Sequence, residues 1–211
     1  MAAPIIAIVD YGAGNLASVA RALEHLGYPC EITARAERIR SAGAVILPGV
    51  GAAGATMTNL RERGLDRILK EEVIGAGKPF LGICIGIQVL LESSAEGNTE
   101  CLGVVRGSVR RFPSTDAVGG TLKVPQIGWN RVHQLKAHPV FNGVLDGAHF
   151  YFVNSYYAVP DDSELVIASA QYGVTFAAAI ARGAMLATQF HLEKSGAAGL
   201  KMLDNFCRTI N

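Results

Sequence analysis

The sequence predicts a doubly wound α/β fold, a mostly parallel sheet with helices on both faces and later strands that are partly antiparallel. Three observations carry this. Short apolar runs of strand length alternate with helical periodicity over the first ninety residues. Those runs are apolar on both faces, as parallel strands covered on each side must be. From Val104 onward, strand-like segments follow one another with Gly, Pro or Asp between most of them.

The elements read in order. Ile5 to Val9 is a continuous apolar run, and Leu16, Val19, Ala20, Leu23 and Leu26 then repeat at helical spacing up to Gly27. Strands are expected at Tyr28 to Ile32, Ala44 to Leu47 and Phe80 to Cys84. Helical stretches lie at Met57 to Arg63 and Leu65 to Ile74, ended by Gly75 and Gly77. A further helix after Cys84 is expected to carry Val89, Leu90 and Leu91. The second half offers strands at Val104 to Phe112, Gly128 to Gln134, Phe150 to Tyr156, Leu165 to Tyr172, Val174 to Ala181 and Met185 to Phe190. A closing helix from Ala197 to Ile210 would bury Leu200, Leu203, Phe206 and Cys207.

Composition narrows the function classes. With 211 residues and neither an internal repeat nor a low-complexity linker, residues 1–211 read as one domain. A net charge of +1 gives no field for nucleic acid or a membrane surface. Charged residues at 18% against 50% hydrophobic exclude intrinsic disorder. The twenty uncharged residues between Arg40 and Arg61 are interrupted by Pro48 and four glycines and do not suit a bilayer span. Met1-Ala2-Ala3-Pro4 has no basic n-region, so no signal peptide is expected and the cytoplasm is. Cysteines 30, 84, 101 and 207 form no zinc spacing, so neither a metal nor a cofactor is expected.

The sharpest local signal is Gly82-Ile83-Cys84-Ile85-Gly86 at the end of an apolar strand. It is a nucleophile elbow with sulfur in place of the serine oxygen. A nucleophile on so tight a strand-to-helix turn adopts a strained backbone, and glycines on both sides let the chain close up. A lone cysteine would read as buried core, but the paired glycines reverse that reading. A thiol also needs a base and an orienter. Of the five histidines, His191 fits, because it follows an apolar strand and Glu193 stands two residues later. His25, His133, His138 and His149 read as surface or satisfied core residues. Leu47-Pro48-Gly49-Val50-Gly51 opens from a strand into a glycine loop, so backbone N–H groups at Val50 or Gly51 can complete an oxyanion hole with that of Ile85. Neither this loop nor Asp10-Tyr11-Gly12-Ala13-Gly14-Asn15 has the spacing of a nucleotide-binding motif.

These segments, with Val124-Pro125-Gln126-Ile127-Gly128-Trp129-Asn130, Phe152-Val153-Asn154-Ser155-Tyr156-Tyr157 and Gln189-Phe190-His191-Leu192-Glu193-Lys194-Ser195, resemble the class I, triad-type glutamine amidotransferases. Within them they are most similar to the glutaminase subunits of imidazole glycerol phosphate synthases. The resemblance implies the flavodoxin-like sheet of that family. It implies that Cys84 attacks the carboxamide of glutamine, His191 relays the proton to ammonia and Glu193 orients His191. Val50, Gly51 and Ile85 would form the oxyanion hole, and Gln88, Ser155 and Tyr156 would hold the substrate. Asn15, Trp129 and Lys194 would face a (β/α)₈ cyclase in a heterodimer that uses the ammonia in histidine biosynthesis, giving imidazole glycerol phosphate and an aminoimidazole carboxamide ribotide. Three positions depart from the family pattern: Leu192 replaces a proline, and Gln126 and Asn154 replace histidines. Two other readings remain at this point, a glutaminase for a different acceptor and a non-catalytic sensor or binding protein built on the same elbow.

Overall fold

The computed structural model describes residues 4–12, 14–115 and 118–210; Ala13 of the first glycine loop and Met1 to Ala3, on which the reading of the N-terminus rests, lie outside them. Element order is β1 (Ile6–Val9), α1 (Leu16–His25), β2 (Cys30–Thr33), α2 (Ala36–Ser41), β3 (Ala44–Gly49), α3 (Ala53–Glu62) and α4 (Leu65–Arg67), which runs on as a π-helical stretch, Ile68–Ile74. Then come β4 (Phe80–Cys84), α5 (Ile85–Gln88), β5 (Ser93–Ser94), β6 (Thr99–Glu100), β7 (Gly107–Arg111), β8 (Gln126–Arg131), β9 (His133–Gln134), β10 (His149–Asn154) and β11 (Tyr156–Pro160). The chain closes with β12 (Val166–Tyr172), β13 (Val174–Arg182), β14 (Met185–Thr188) and α6 (Gly196–Cys207).

Among the described residues the main sheet has eight strands in the order β2-β1-β3-β4-β14-β13-β12-β9. Pairings from β2 through β14 are parallel, and β14, β13, β12 and β9 pair antiparallel, as the sequence predicts. Strand alternation divides the core into two layers. Ile6, Ile8, Ala44 and Ile46 pack with Val19 and Leu23 of α1 and with Met202, Leu203 and Phe206 of α6. Ala7, Val9, Val45 and Leu47 pack on the opposite face with Met57, Leu60, Leu65 and Leu69. The β8–β10 ribbon and a four-stranded sheet, β11-β7-β5-β6, stand beside the main one. Among the described residues no helix is long and apolar enough to cross a membrane.

Several expected boundaries move, each for a hydrogen-bonding reason. The helix after Cys84 ends at Gln88 and does not carry Val89, Leu90 and Leu91. Their carbonyls accept instead from the N–H groups of Leu102, Gly103, Val104 and Val105. Those same bonds keep Val104 and Val105 out of the expected strand, which starts at Gly107. The predicted strand from Phe150 to Tyr156 breaks at Ser155, because β10 pairs with β8 and β11 pairs with β7. Gly128 to Gln134 is likewise divided between β8 in the ribbon and β9 on the edge of the main sheet. The strand expected to reach Phe190 ends at Thr188, and the closing helix ends at Cys207 with Leu200 only half-buried. Helix α2 buries only Ile39, too little for its periodicity to be read.

Candidate active site

Cys84 ends β4 with φ +56° and ψ −101°, a conformation that side chains other than glycine rarely adopt. The elbow closes around it so tightly that a Cβ on Gly86 would lie 2.4 Å from the Leu47 carbonyl oxygen, and one on Gly82 would lie 2.9 Å from the Gly86 backbone. Both glycines are required for close approach. Helix α5, with four residues, is too short for a sizeable macrodipole, but its first N–H groups have no partner within the helix.

Register places the second loop. Gly49 pairs with Cys84 across β3 and β4, so Val50 and Gly51 leave the sheet beside Cys84. Gly51 turns with φ +109°, which favours glycine. Val50, Gly51, Cys84, Ile85, Gln88, Ser155 and Tyr156 line one pocket of about 380 Å³. The structure therefore brings Cys84 to one place with the residues expected to form an oxyanion hole and those that the family resemblance implied for the substrate. The amide nitrogen of Gln88 donates to the Tyr156 carbonyl (2.9 Å) and to Gln189 Oε1 (3.1 Å), which leaves its oxygen for a ligand. Glu96 also lines the pocket and accepts from the Ala53 N–H at 2.8 Å. The sequence did not single it out, since nothing near it marks a role.

His191 Nδ1 lies 2.7 Å from Glu193 Oε1, and the two side chains are 1% and 2% exposed. The backbone N–H of His191 donates to the Tyr151 carbonyl at 3.0 Å, so β10 holds His191 in place. A 3-10 turn, Leu192–Lys194, sets the spacing from His191 to Glu193. Leu192 is fully buried in the core, so packing anchors the turn at the position where the resemblance led proline to be expected. His191 Nε2 and Glu193 Oε2 are buried without a hydrogen-bond partner. Burial pushes the imidazole pKa down, but Cys84 and Glu193 outweigh it and raise the value to about 9. Such a site can hold a thiolate–imidazolium pair and pass a proton.

The other histidines sit as expected: His25, His133 and His149 are exposed, and half-buried His138 accepts from the Val140 N–H. Among the described residues no cluster of His, Cys, Asp and Glu is placed to hold a metal ion. Trp129 is 57% exposed on the outer face of β8 beside Ile127 and meets Tyr151 edge-on at 6.1 Å. Asn15 precedes α1 and accepts from the Ser18 hydroxyl, and Lys194 is half-buried in the turn after His191. No hydrogen bond joins Asn15, Trp129 and Lys194 to one another.

The model of the glutamine amidotransferase class-I family matches residues 7–210. Over 203 residues the chain is 50% identical to imidazole glycerol phosphate synthase subunit HisH of Dehalococcoides mccartyi, covering 96% of each chain. It is 51% identical over 203 residues to the protein of the same name from Herpetosiphon aurantiacus, covering 96% of this chain and 93% of that one. Among solved structures, a glutamine amidotransferase from Thermotoga maritima superposes with a TM-score of 0.64 at 16% identity, covering 96% of this chain and 81% of that one. That likeness shows the fold.

Proposed function

The chain belongs to the class-I glutamine amidotransferases, and we propose that Cys84, His191 and Glu193 carry out glutamine hydrolysis for an imidazole glycerol phosphate synthase. The observation that carries the reading is the buried 2.7 Å His191–Glu193 contact beside a cysteine held at φ +56°. A non-catalytic thiol has no need of this arrangement.

The geometry supports the following sequence of steps. His191, oriented by Glu193, takes the Cys84 proton, and the thiolate attacks the carboxamide carbon of glutamine. Negative charge developing on the oxygen is met by N–H groups from Val50, Gly51 and Ile85. Imidazolium returns its proton to the leaving nitrogen, the C–N bond breaks, and ammonia departs from a glutamyl thioester. Water, deprotonated by His191, then cleaves the thioester, releasing glutamate and restoring the thiol. The amino-acid end of the substrate would lie against Gln88, Ser155 and Tyr156, with the Glu96 carboxylate facing its ammonium group.

Ammonia released into neutral water is mostly protonated and no longer a nucleophile, so the product is best passed directly to the enzyme that consumes it. The function therefore includes a cyclase partner. In this reading the partner is a (β/α)₈ barrel that forms a heterodimer over Asn15, Trp129 and Lys194, residues 1–211 act as one domain, and the complex works in the cytoplasm. Exposed Ile127 and Trp129 suit the centre of such an interface. The test is glutamate release with and without the cyclase and its ligand. Stimulation by both is expected for the wild type, and none for Cys84→Ala; undiminished release by that variant would end the reading.

A further inference from the structure

Gln189 has no part in the steps above, yet its side chain lies against the nucleophile. It is fully buried and stands one position past the last β14–β4 pair, Thr188 with Ile83, which brings it level with Cys84. Its Nε2 is 3.8 Å from the Cys84 Sγ, its Oε1 accepts from Gln88 Nε2 at 3.1 Å, and its backbone N–H donates to the Ala178 carbonyl at 2.8 Å.

The direction of this chain of amides follows from chemistry alone. The Tyr156 carbonyl can only accept, so the Gln88 atom 2.9 Å from it is the nitrogen. That nitrogen has a second N–H, which faces Gln189, so the Gln189 atom there is the oxygen. The NH₂ of Gln189 is thereby left for the sulfur. The sulfur also meets an acceptor, the Val153 carbonyl at 4.0 Å, to which a thiol can donate but which repels a thiolate.

We infer that Gln189 is a positioning residue whose amide N–H donates to the Cys84 sulfur, favouring its anionic form and aiming it at the pocket. The role rests on the reading of Cys84 as the nucleophile. A hydrogen bond to an ionised acceptor is stronger than one to its neutral form, so the donor acts mainly on the thiolate. Its own orientation is fixed through Gln88 to the Tyr156 backbone in the pocket wall.

The experiment follows the rate of Cys84 carboxamidomethylation by iodoacetamide against pH, read by mass spectrometry with Cys30, Cys101 and Cys207 as internal controls. The same preparations are assayed for glutamate release with the cyclase present. Gln189→Met keeps the volume and removes the donor, and it should raise the pH of half-maximal alkylation by roughly one unit. It should lower kcat at neutral pH about tenfold with little change in KM. Gln189→Glu, which sets a carboxylate against the sulfur, should raise the midpoint further. An unchanged midpoint in Gln189→Met overturns the proposal. Should that variant fail to fold, Gln88→Met, which removes the group orienting Gln189, should shift the midpoint in the same direction, and no shift there overturns it. If the wild type releases no glutamate while the Gln189→Met midpoint still moves, the glutaminase reading fails and the placement of the donor stands.

Discussion

A methyl group added at Gly49 tests how the loop proposed to supply the oxyanion donors is held. Gly49 is the last residue of β3, paired with Cys84, and a Cβ there would lie 2.0 Å from the Tyr11 hydroxyl and 2.2 Å from Ile85 Cγ2. Both contacts are more than about 1 Å short of the roughly 3.5–4.0 Å at which such atoms rest. Tyr11 and Ile85 are both buried, so neither can swing aside into solvent. Gly49→Ala should therefore cost about 1–3 kcal/mol of stability, which leaves the chain folded given a usual total of ~5–15 kcal/mol. The displacement falls on the Val50 and Ile85 backbone, so glutamate release should drop by about 10²–10³, the effect of losing one oxyanion donor. The Tyr11 hydroxyl, near Thr56, has no partner at hydrogen-bonding geometry, and burial raises its pKa to about 12. Tyr11→Phe alone should thus be nearly neutral, and in combination it should recover part of both losses, with a coupling energy of about 0.5–3 kcal/mol. Denaturant midpoints and glutamate release for the four proteins of the cycle check this. A Gly49→Ala protein as active as the wild type, or two substitutions whose effects simply add, would refute the reasoning.

Four further outcomes are expected. Glu193→Gln should lower glutamate release by about 10²–10⁴ and bring the His191 pKa down from about 9 toward its ordinary value, as ring-proton NMR titration would show. An imidazole raised to about 9 binds its proton more tightly when folded, so its contribution to stability is complete below about pH 6.5 and fades as the pH rises through 9; the loss should be shallower in Glu193→Gln. A glutamine-mimicking electrophile should label Cys84 alone by peptide mass spectrometry, because burial raises Cys101 to about 11 and Cys207 to about 12 and also raises Cys30. Trp129→Ala should weaken cyclase binding by at least roughly 30-fold in calorimetry, the loss of a hot-spot side chain, with the melting temperature of the free chain unchanged.

What could be read from the sequence was what short-range spacing encodes. The elbow is a five-residue pattern and His191 and Glu193 are separated by a single residue, so both are visible in the letters alone. The parallel half of the sheet was legible because β1, β3, β4 and β14 are buried on both faces, whereas the edge strand β2 carries Glu31 and is only partly buried. The ribbon was harder. Phe150 to Tyr156 is one continuous strand-like run, and only its two different pairing partners divide it at Ser155. Gln189 contacts a residue 105 positions away and Glu96 one 43 positions away, and no local pattern announces either.

These long-range placements rest chiefly on main-chain hydrogen bonds. The β3–β4 ladder sets the glycine loop beside Cys84, the β14–β4 ladder brings Gln189 level with it, and the Tyr151 carbonyl holds the His191 N–H. Backbone bonds do not depend on the side chain that carries them, so much of the site's framework tolerates substitution. Leu192 shows this, since a buried leucine and a 3-10 turn hold His191 and Glu193 in place without the proline that the resemblance led to be expected. Two kinds of position are not free. At 49, 82 and 86 a side chain would occupy space already filled by the Tyr11 hydroxyl, the Gly86 backbone or the Leu47 carbonyl oxygen. In the proposed mechanism a particular atom of Cys84, Gln88, Gln189, His191 and Glu193 meets a particular partner. A substitution at the first kind of position should damage stability and activity together, and one at the second kind activity far more than stability. That contrast makes the two kinds separable by experiment.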